Sequence, residues 1–335
     1  MKNKNTETNL NSNTEETRHF SITKTLTDLF SKLSFLNPFA TSFSNFESFE
    51  LSIEQEDING ECFTQSEKFT TKFMNKYSHE EVLEMFEKHK VIKQLKKKNI
   101  HPRLQIETSE RYSHELVISE MIESKPENAL VRLIVSPQPK FFPEIKHKTI
   151  RNLEVGDQLF RDELMNKIKI LDIKWLSIQN TKSHFTKNKP QYPGQKFPGL
   201  GLLRKMYFII LEFSMSDGIS GLPMHFHNAI FSKGSTFVNP CFQGWFESLQ
   251  EDLAQEIEEH GLARVSWAIF LGGLRDKDHN LVLWEPEEML FGMSETVKEY
   301  FNSKKYIKLF QQNKYSRGNY IDWKAVEKDI PTKAF

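Results

Sequence analysis

The sequence predicts an α/β (α+β) fold in which helices flank a mixed central sheet. Residues 167–178 are apolar and β-branched, which is typical of a buried strand. Residues 202–213 carry apolar side chains at helical spacing and predict an amphipathic helix. A second short apolar run at 219–224 ends at His225, where a short helix opened by His-Asn is expected. Strands that alternate with helices in this way favour a layered α/β or α+β domain.

Composition narrows the class of protein. The 335 residues suffice for one large domain or two modest ones with a sizeable core. Lys+Arg and Asp+Glu both number 45, so no global field favours nucleic acid or a membrane as a partner. No apolar run approaches the roughly 18 residues that span a bilayer, and the N-terminus lacks the apolar core of a secretory signal. Cys62 and Cys241 lie far apart and make no disulfide framework, so a soluble, cytoplasmic protein is expected.

Three parts are predicted along the chain. Residues 1–50 form a largely disordered segment with one weak amphipathic helix at 23–36. Residues 51–240 form the α/β domain, and residues 241–335 form a helix-hairpin-helix extension packed on it. The elements predicted in this extension are a helix at 243–260, a hairpin of strands at 264–271 and 280–284, and a helix at 294–312.

The α/β domain opens with a helix signal, because Ser78 and Glu81 form a capping-box pattern before an apolar stripe. The basic run at 88–103 then carries seven cations and no acid. A solvated face is its expected structure, with a phosphate or nucleic-acid patch as the alternative; no aromatic residues are interleaved, so a nucleic-acid partner is not expected. The stretch 113–122 is predicted to be helical and 129–136 to be a strand.

A glycine-bearing loop joins the strand at 167–178 to the helix at 202–213. Its last segment, 194–201, reads GQKFPGLG. Glycines allow a ligand to approach the backbone closely, and the first N–H groups of a helix lack intrahelical partners. Because the helix dipole also favours negative charge there, the sequence predicts a phosphate site at this junction.

Together these motifs resemble the acyl-CoA-binding half of the GNAT (N-acetyltransferase) superfamily. That family's pattern is a central strand, Arg/Gln-x-x-Gly-x-Gly/Ala, a helix, a strand, and an Asn at the start of a second helix. Here 196–201 (KFPGLG) stands in the glycine pattern, with Lys196 where Arg or Gln is usual, and Asn228 stands at the second helix. The resemblance covers 167–237, about a fifth of the chain, and implies a divergent member with a GNAT-like core near 110–240.

The resemblance implies acetyl-CoA or another acyl-CoA as co-substrate. In the family, backbone N–H groups of the glycine loop hold the CoA diphosphate, and the strand before the loop splays from its neighbour to receive the pantetheine arm. Lys196 would add positive charge, and Asn228 would cap the second helix or bond the pantetheine arm. The residues implied for cofactor binding are Trp175, Leu176, Ser177, Ile178, Lys196, Gly199, Leu200, Gly201, Leu202, Leu203 and Asn228.

The candidates for proton transfer are His227, His225 and Asp172. A His needs no perturbation to have a pKa near neutral pH, whereas Asp172 on the central strand has a surface position as its other interpretation. His227 is expected to contribute more to turnover than His184 in the inserted loop, with little effect on stability. The general-acid Tyr of the family has no counterpart, because Lys233 stands at its offset.

The leading hypothesis is an acyl-CoA-dependent N-acyltransferase whose partner is a small-molecule or peptide amine. Without the Tyr, a non-catalytic GNAT-like binding protein is the first alternative. A metal-dependent enzyme that uses His225 and His227, two residues apart on one strand face, is the second. Spacing indicates no third ligand, so no bound metal is expected. Cys241 is expected to be a buried thiol.

Overall fold

The protein combines helices and strands in the computed structural model, which describes residues 71–120, 128–140, 142, 153–215 and 217–332. The strands are β1 Arg103–Glu110, β2 Ser113–Ser119, β3 Val131–Val135, β4 Ile170–Ile178, β5 Gly218–Gly221, β6 Thr236–Phe237, β7 Leu274–Arg275, β8 Met289–Gly292 and β9 Tyr320–Ile321. The helices are α1 His79–Lys88, α2 Val91–Lys97, α3 Leu153–Glu163, α4 Leu203–Phe213, α5 Phe226–Phe231, α6 Pro240–Asp252, α7 Ala254–His260, α8 Leu262–Phe270, α9 Glu295–Phe301, α10 Lys304–Asn313 and α11 Trp323–Val326. The predictions for residues 1–50 and for Cys62 lie outside the described residues.

Seven strands form one mixed sheet in the order β1-β2-β3-β4-β5-β8-β6, and β7 pairs with β9 apart from it. Adjacent strands of the large sheet are antiparallel except for β4 and β5, which are parallel. The mixed α/β class predicted from the sequence is therefore confirmed. β8 belongs to the C-terminal part, 241–335, so this part contributes a strand to the central sheet as well as helices around it.

Helices cover both faces of the sheet because neighbouring residues of β4 point to opposite sides. Leu171 packs in a core that also holds apolar side chains of β2, β3, α1, α2 and α4. Its neighbour Ile170 packs on the other side with Leu290 of β8 and with α3, α9 and α10. A further cluster joins α5, α6 and α8 around Phe237. Each fully buried side chain of this size contributes about 1.5–3 kcal/mol, so these clusters fix the layers around β4.

The elements that the sequence predicts around the glycine loop are confirmed, with shifted ends. The strand at 167–178 is β4, which is preceded by a 3₁₀ turn at Met165–Lys167, and the helix at 202–213 is α4. The strand predicted at 219–224 ends at Gly221. Pro223 follows, and its lack of an N–H prevents a regular ladder from continuing. The capping box at Ser78 is present as predicted.

Other predicted elements are wrong. The stretch 113–122 is predicted to be helical but contains strand β2, which pairs with β1 on one side and β3 on the other. Half-buried and buried residues alternate along most of this strand. The stretch 264–271 was expected to be a strand but lies in helix α8. The single helices predicted at 243–260 and 294–312 are each broken in two, and Ser303 caps the second helix of the latter pair by accepting from the Tyr306 N–H.

Gly218 allows β5 and β8 to approach closely. Its φ is +144°, and a Cβ at this position would lie 2.1 Å from the Phe291 carbonyl oxygen. We expect Gly218→Ala to lower the free energy of unfolding by about 2 kcal/mol or more, because the β8 backbone would have to shift. Urea denaturation measures this change.

Gly261→Ala is the matched control, since its φ is +80° but no atom lies within 4 Å of the added Cβ. Backbone strain alone predicts a loss of about 1–2 kcal/mol there. Equal losses in the two variants would contradict the close-approach explanation.

Candidate functional site

β4 and β5 pair over four residues, and β5 ends at the last of these pairs, Gly221. The parallel ladder runs from Ile170 to Ile173 of β4. At Lys174 the register between β3 and β4 slips by one residue, which is a β-bulge that bends and twists the strand. Among the described residues, no strand pairs with 174–178 of β4 on the β5 side. The end of this ladder defines the candidate site.

The glycine loop lies beyond the end of β4, at the N-terminus of α4. Gly201 has a φ of +80°, which glycine adopts without strain, and Leu202 precedes the first turn without a side-chain cap. Gln94 Nε2 donates to the Gly201 carbonyl oxygen at 2.9 Å, and Lys98 Nζ donates to the Leu200 carbonyl oxygen. Two carbonyl groups of the loop are therefore anchored to the basic run.

Positive charge surrounds this junction. Lys205, in the first turn of α4, donates to the Lys90 carbonyl oxygen at 3.0 Å. Burial lowers the pKa of Lys205, and the nearby charges of Lys90 and Lys97 lower it further. Lys196, which the resemblance places at the phosphate site, donates to Asn128 Oδ1 at 2.9 Å. The basic run thus carries side chains that bond the loop and cations that crowd the start of α4.

A buried ionic cluster lies on the face of β4 opposite to α4. Lys140 Nζ lies 2.6 Å from Asp172 Oδ1 and 2.9 Å from Glu288 Oε2. The Ser136 and Lys140 N–H groups donate to the Asp172 and Ile170 carbonyl oxygens, so the chain that leaves β3 follows β4 and brings Lys140 to this position. Asp172 is only 9% exposed, which excludes the surface interpretation of this residue.

Burial and charge compete within this cluster. Burial raises the pKa of Glu288 although Lys140 opposes the rise, and the charges of Asp172 and Glu287 add to it. For Lys140, burial disfavours the charge, but the two bound carboxylates outweigh burial and raise its pKa. Glu288 Oε1 and Ser220 Oγ are buried and have no hydrogen-bond partner among the described residues.

His225 and His227 stack on each other with ring centroids 5.6 Å apart. His227 is 1% exposed; its Nδ1 lies 2.8 Å from Ser266 Oγ, and its ring packs 4.7 Å from that of Tyr192. Burial lowers the pKa of His225 to about 4 and lowers that of His227 well below the usual value. The expectation that both lie on one strand is wrong, because α5 begins at Phe226.

Other residues implied by the resemblance are placed as follows. Asn228 is fully buried in the third position of α5, so it does not open that helix as expected. The Trp175 ring lies under the Arg132 guanidinium, and its Nε1 is buried without a hydrogen-bond partner in the described chain. Ser177 of β4 is 5% exposed. Cys241 is the expected buried thiol, and burial raises its pKa to about 11.

The described residues hold no group of three or more His, Cys, Asp or Glu side chains that could bind a metal ion. Nor does any helix within these ranges combine the length and apolar character needed to cross a bilayer. No protein-family model, curated protein or solved structure matches the chain. The candidate site is therefore defined by its own geometry.

Sequence reasoning missed Lys140, Ser220 and Glu288. Lys140 follows two prolines in an irregular stretch, and Glu288 directly precedes β8, which was not predicted. The one available signal was the charged pair at 287–288 next to an apolar run, because a carboxylate at the start of a buried strand requires a partner. Only the sheet order brings that pair beside β5.

The position of His227 changes the expectation for its removal. We expect His227→Ala to lower the free energy of unfolding by about 2–4 kcal/mol, because it opens a cavity beside Tyr192 and deprives Ser266 of its partner. His184→Ala, in an exposed loop, should change it by less than about 0.5 kcal/mol. Urea denaturation of both variants measures the difference. A stable His227→Ala protein with low turnover would instead support the catalytic interpretation.

The raised pKa of Glu288 makes stability depend on pH. The folded protein keeps a proton on Glu288 at pH values where the unfolded chain has lost it, so this stabilisation is complete below the ordinary glutamate pKa and is lost as pH rises through the folded pKa. Glu288→Gln cannot ionise and leaves Lys140 paired with Asp172. The stability of Glu288→Gln relative to the parent protein should therefore increase with pH from acid to neutral solution.

Denaturation at a series of pH values checks this prediction. Glu299→Gln, at an exposed helical position, is the control and should show a nearly constant difference from the parent protein. A Glu288→Gln curve parallel to that of the parent would refute the raised pKa.

Proposed function

We propose that this protein transfers an acyl group from an acyl-CoA to an amine. The observation that carries the proposal is that β4 has no strand partner on the β5 side after Ile173, while the end of β4 meets the glycine loop that opens an 11-residue helix. A strand edge without a ladder partner and a helix N-terminus are two features that an acyl-CoA can use, because it has an amide-bearing arm joined to a diphosphate.

The edge of β4 at 174–178, which has no ladder partner in β5, suits the pantetheine arm of an acyl-CoA. An unpaired strand edge presents N–H and C=O groups that an extended, amide-containing ligand can bond as an added strand would. The edge at 174–178 is the segment to which the GNAT resemblance assigns the pantetheine arm. Ser177 and Ile178 on it are buried, so hydrogen bonds formed there are shielded from water.

The start of α4 fits the diphosphate. Helix N–H groups and the dipole favour an anion at this end, and Gly201 lets the anion approach the backbone. Lys205, Lys90 and Lys97 add positive charge to the same region, where their mutual repulsion favours a bound anion.

The ionic cluster supplies a place for the proton of the acceptor. Asp172 is the third of the four paired residues of β4, one residue before the ladder with β5 ends. In the proposed step, an ammonium group loses one proton to the carboxylate of Glu288, which shares the Lys140 ammonium group with Asp172. The amine nitrogen then bonds to the thioester carbonyl carbon, the C–S bond breaks with its electron pair on sulfur, and the second nitrogen proton is released as the thiolate leaves.

A non-catalytic acyl-CoA-binding protein is the second candidate. Lys233 stands where the resemblance places a general-acid Tyr, and burial lowers the pKa of this lysine. Acyl-CoA binding without release of free CoA in the presence of amines would favour this candidate over the transferase.

Substitution in the glycine loop tests the acyl-CoA site. Gly201→Asp places a carboxylate where the diphosphate is proposed to bind, so acetyl-CoA affinity should fall at least about tenfold, or about 1.4 kcal/mol. Isothermal titration calorimetry with acetyl-CoA measures this change.

Gly194→Asp is the matched control, because Gly194 lies in the same loop with a nearly identical φ of +79° but is exposed and distant in sequence from the start of α4. It should bind acetyl-CoA as the parent protein does. Unchanged affinity in a folded Gly201→Asp protein, or an equal loss in both variants, would remove the diphosphate site from the proposal.

A further inference from the structure

The cluster around Lys140 carries more negative than positive charge. Asp172, Glu287 and Glu288 are 9%, 1% and 5% exposed. Lys140 forms ion pairs with Asp172 and Glu288. When Asp172 and Glu288 are both ionised, one ammonium group faces two negative charges, and an uncompensated buried carboxylate costs several kcal/mol. A second cation at this place would restore the balance.

Two buried oxygen atoms could accept hydrogen bonds from such a cation. Lys140 Nζ bonds Glu288 through Oε2, while the other oxygen, Oε1, has no hydrogen-bond partner among the described residues. Ser220 Oγ, in a residue that is 2% exposed, likewise has none there. Ser220 is the ladder partner of Asp172, and paired residues of a parallel ladder project to the same face of the sheet. An ammonium group, with three donors and no acceptor, matches these oxygen atoms.

These atoms lie near the carboxyl end of the parallel ladder between β4 and β5. Ser220 is the last residue but one of β5, and Glu288 immediately precedes β8, the antiparallel neighbour of β5. Trp284 Nε1 donates to the Pro223 carbonyl oxygen at 3.2 Å, so the segment before β8 packs against the chain that leaves β5. Ligand sites of open sheets form at the carboxyl ends of parallel strands.

We infer that Glu288 Oε1 and Ser220 Oγ bind the ammonium group of a cationic aliphatic amine. The inference deepens the proposed function and rests on it for the role of this amine, which is the acyl acceptor. The binding itself needs no acyl-CoA. An uncharged aromatic amine lacks the positive charge that the carboxylates attract, and it is therefore a poor ligand for this site.

Calorimetric titration without acyl-CoA tests the inference. The probes are benzylamine and spermidine, which are cations near neutral pH, with benzyl alcohol as the uncharged counterpart of benzylamine. We expect at least one amine to bind the parent protein, and benzyl alcohol not to bind. Affinity for the amine should fall at least about tenfold in Glu288→Gln and severalfold in Ser220→Ala.

Glu299→Gln, an exposed carboxylate on α9, is the control for general attraction of cations and should keep the parent affinity. Ser220→Ala removes only one oxygen atom and serves as the second variant if Glu288→Gln does not fold. Failure of both amines to bind the parent protein, or parent-like affinity in folded Glu288→Gln or Ser220→Ala, would overturn the inference.

A parallel acetyl-CoA titration separates this inference from the proposed function. Amine binding that depends on Glu288, in a protein that does not bind acetyl-CoA, would support the ammonium site and refute the acyltransferase proposal. Acetyl-CoA binding without amine binding would leave the acyl-CoA site and refute the ammonium site.

Discussion

Four residue pairs between β4 and β5 join the two halves of the central sheet. β1 to β4 form an antiparallel set on one side, and β5, β8 and β6 form another on the opposite side. The parallel ladder is short because the bulge at Lys174 bends β4 while Pro223 follows the end of β5. The same limit on pairing therefore places Asp172 and Ser220, which are ladder partners, close to the point where the ladder ends.

Close packing on both sides of this junction keeps it in one arrangement. Leu171 and Ile173 are held by the core beneath α4, and Ile170 by the core around α3 and α9. Because consecutive residues of β4 are locked into different cores, a shift of the ladder by one residue would expose both sets. Asp172 therefore projects from the same face as Ile170. Its ion pair with Lys140 is buried there, so each charge depends on the other for compensation.

Local sequence pattern was sufficient for the centre of the fold. β4, the glycine loop and α4 have strong signals of their own, namely an apolar β-branched run, positive-φ glycines and an apolar stripe at helical spacing. The strand β2 was missed because its residues gain their strand preference from pairing with β1 and β3, which local propensity does not report. Helix α8 was mistaken for a strand because its Val, Trp, Ile and Phe side chains are as common in strands as in buried helices.

The candidate site shows the same division between local and long-range information. The start of α4 was predictable, since a glycine pattern beside a helix carries its own physical reason. His225 and His227 were candidates for proton transfer because of their residue type. Burial lowers the pKa values of both side chains, which weakens them as bases near neutral pH. Lys140 has no local signal, and the charged pair at 287–288 indicates only that a partner is needed; the order of strands in the sheet supplies that partner.

The ionic cluster is best understood as a polar group that packing alone does not justify. Well-packed apolar residues in place of Lys140, Asp172 and Glu288 would avoid the cost of burying charge, so a purely structural role gives little reason for three ionisable groups at one point of the core. Oxygen atoms of Ser220 and Glu288 add to that cost, since they are buried without partners among the described residues. These groups lie near the end of a parallel ladder, beside a strand edge that has no ladder partner in β5. Groups that lower stability at such a place are typical of a ligand-binding site.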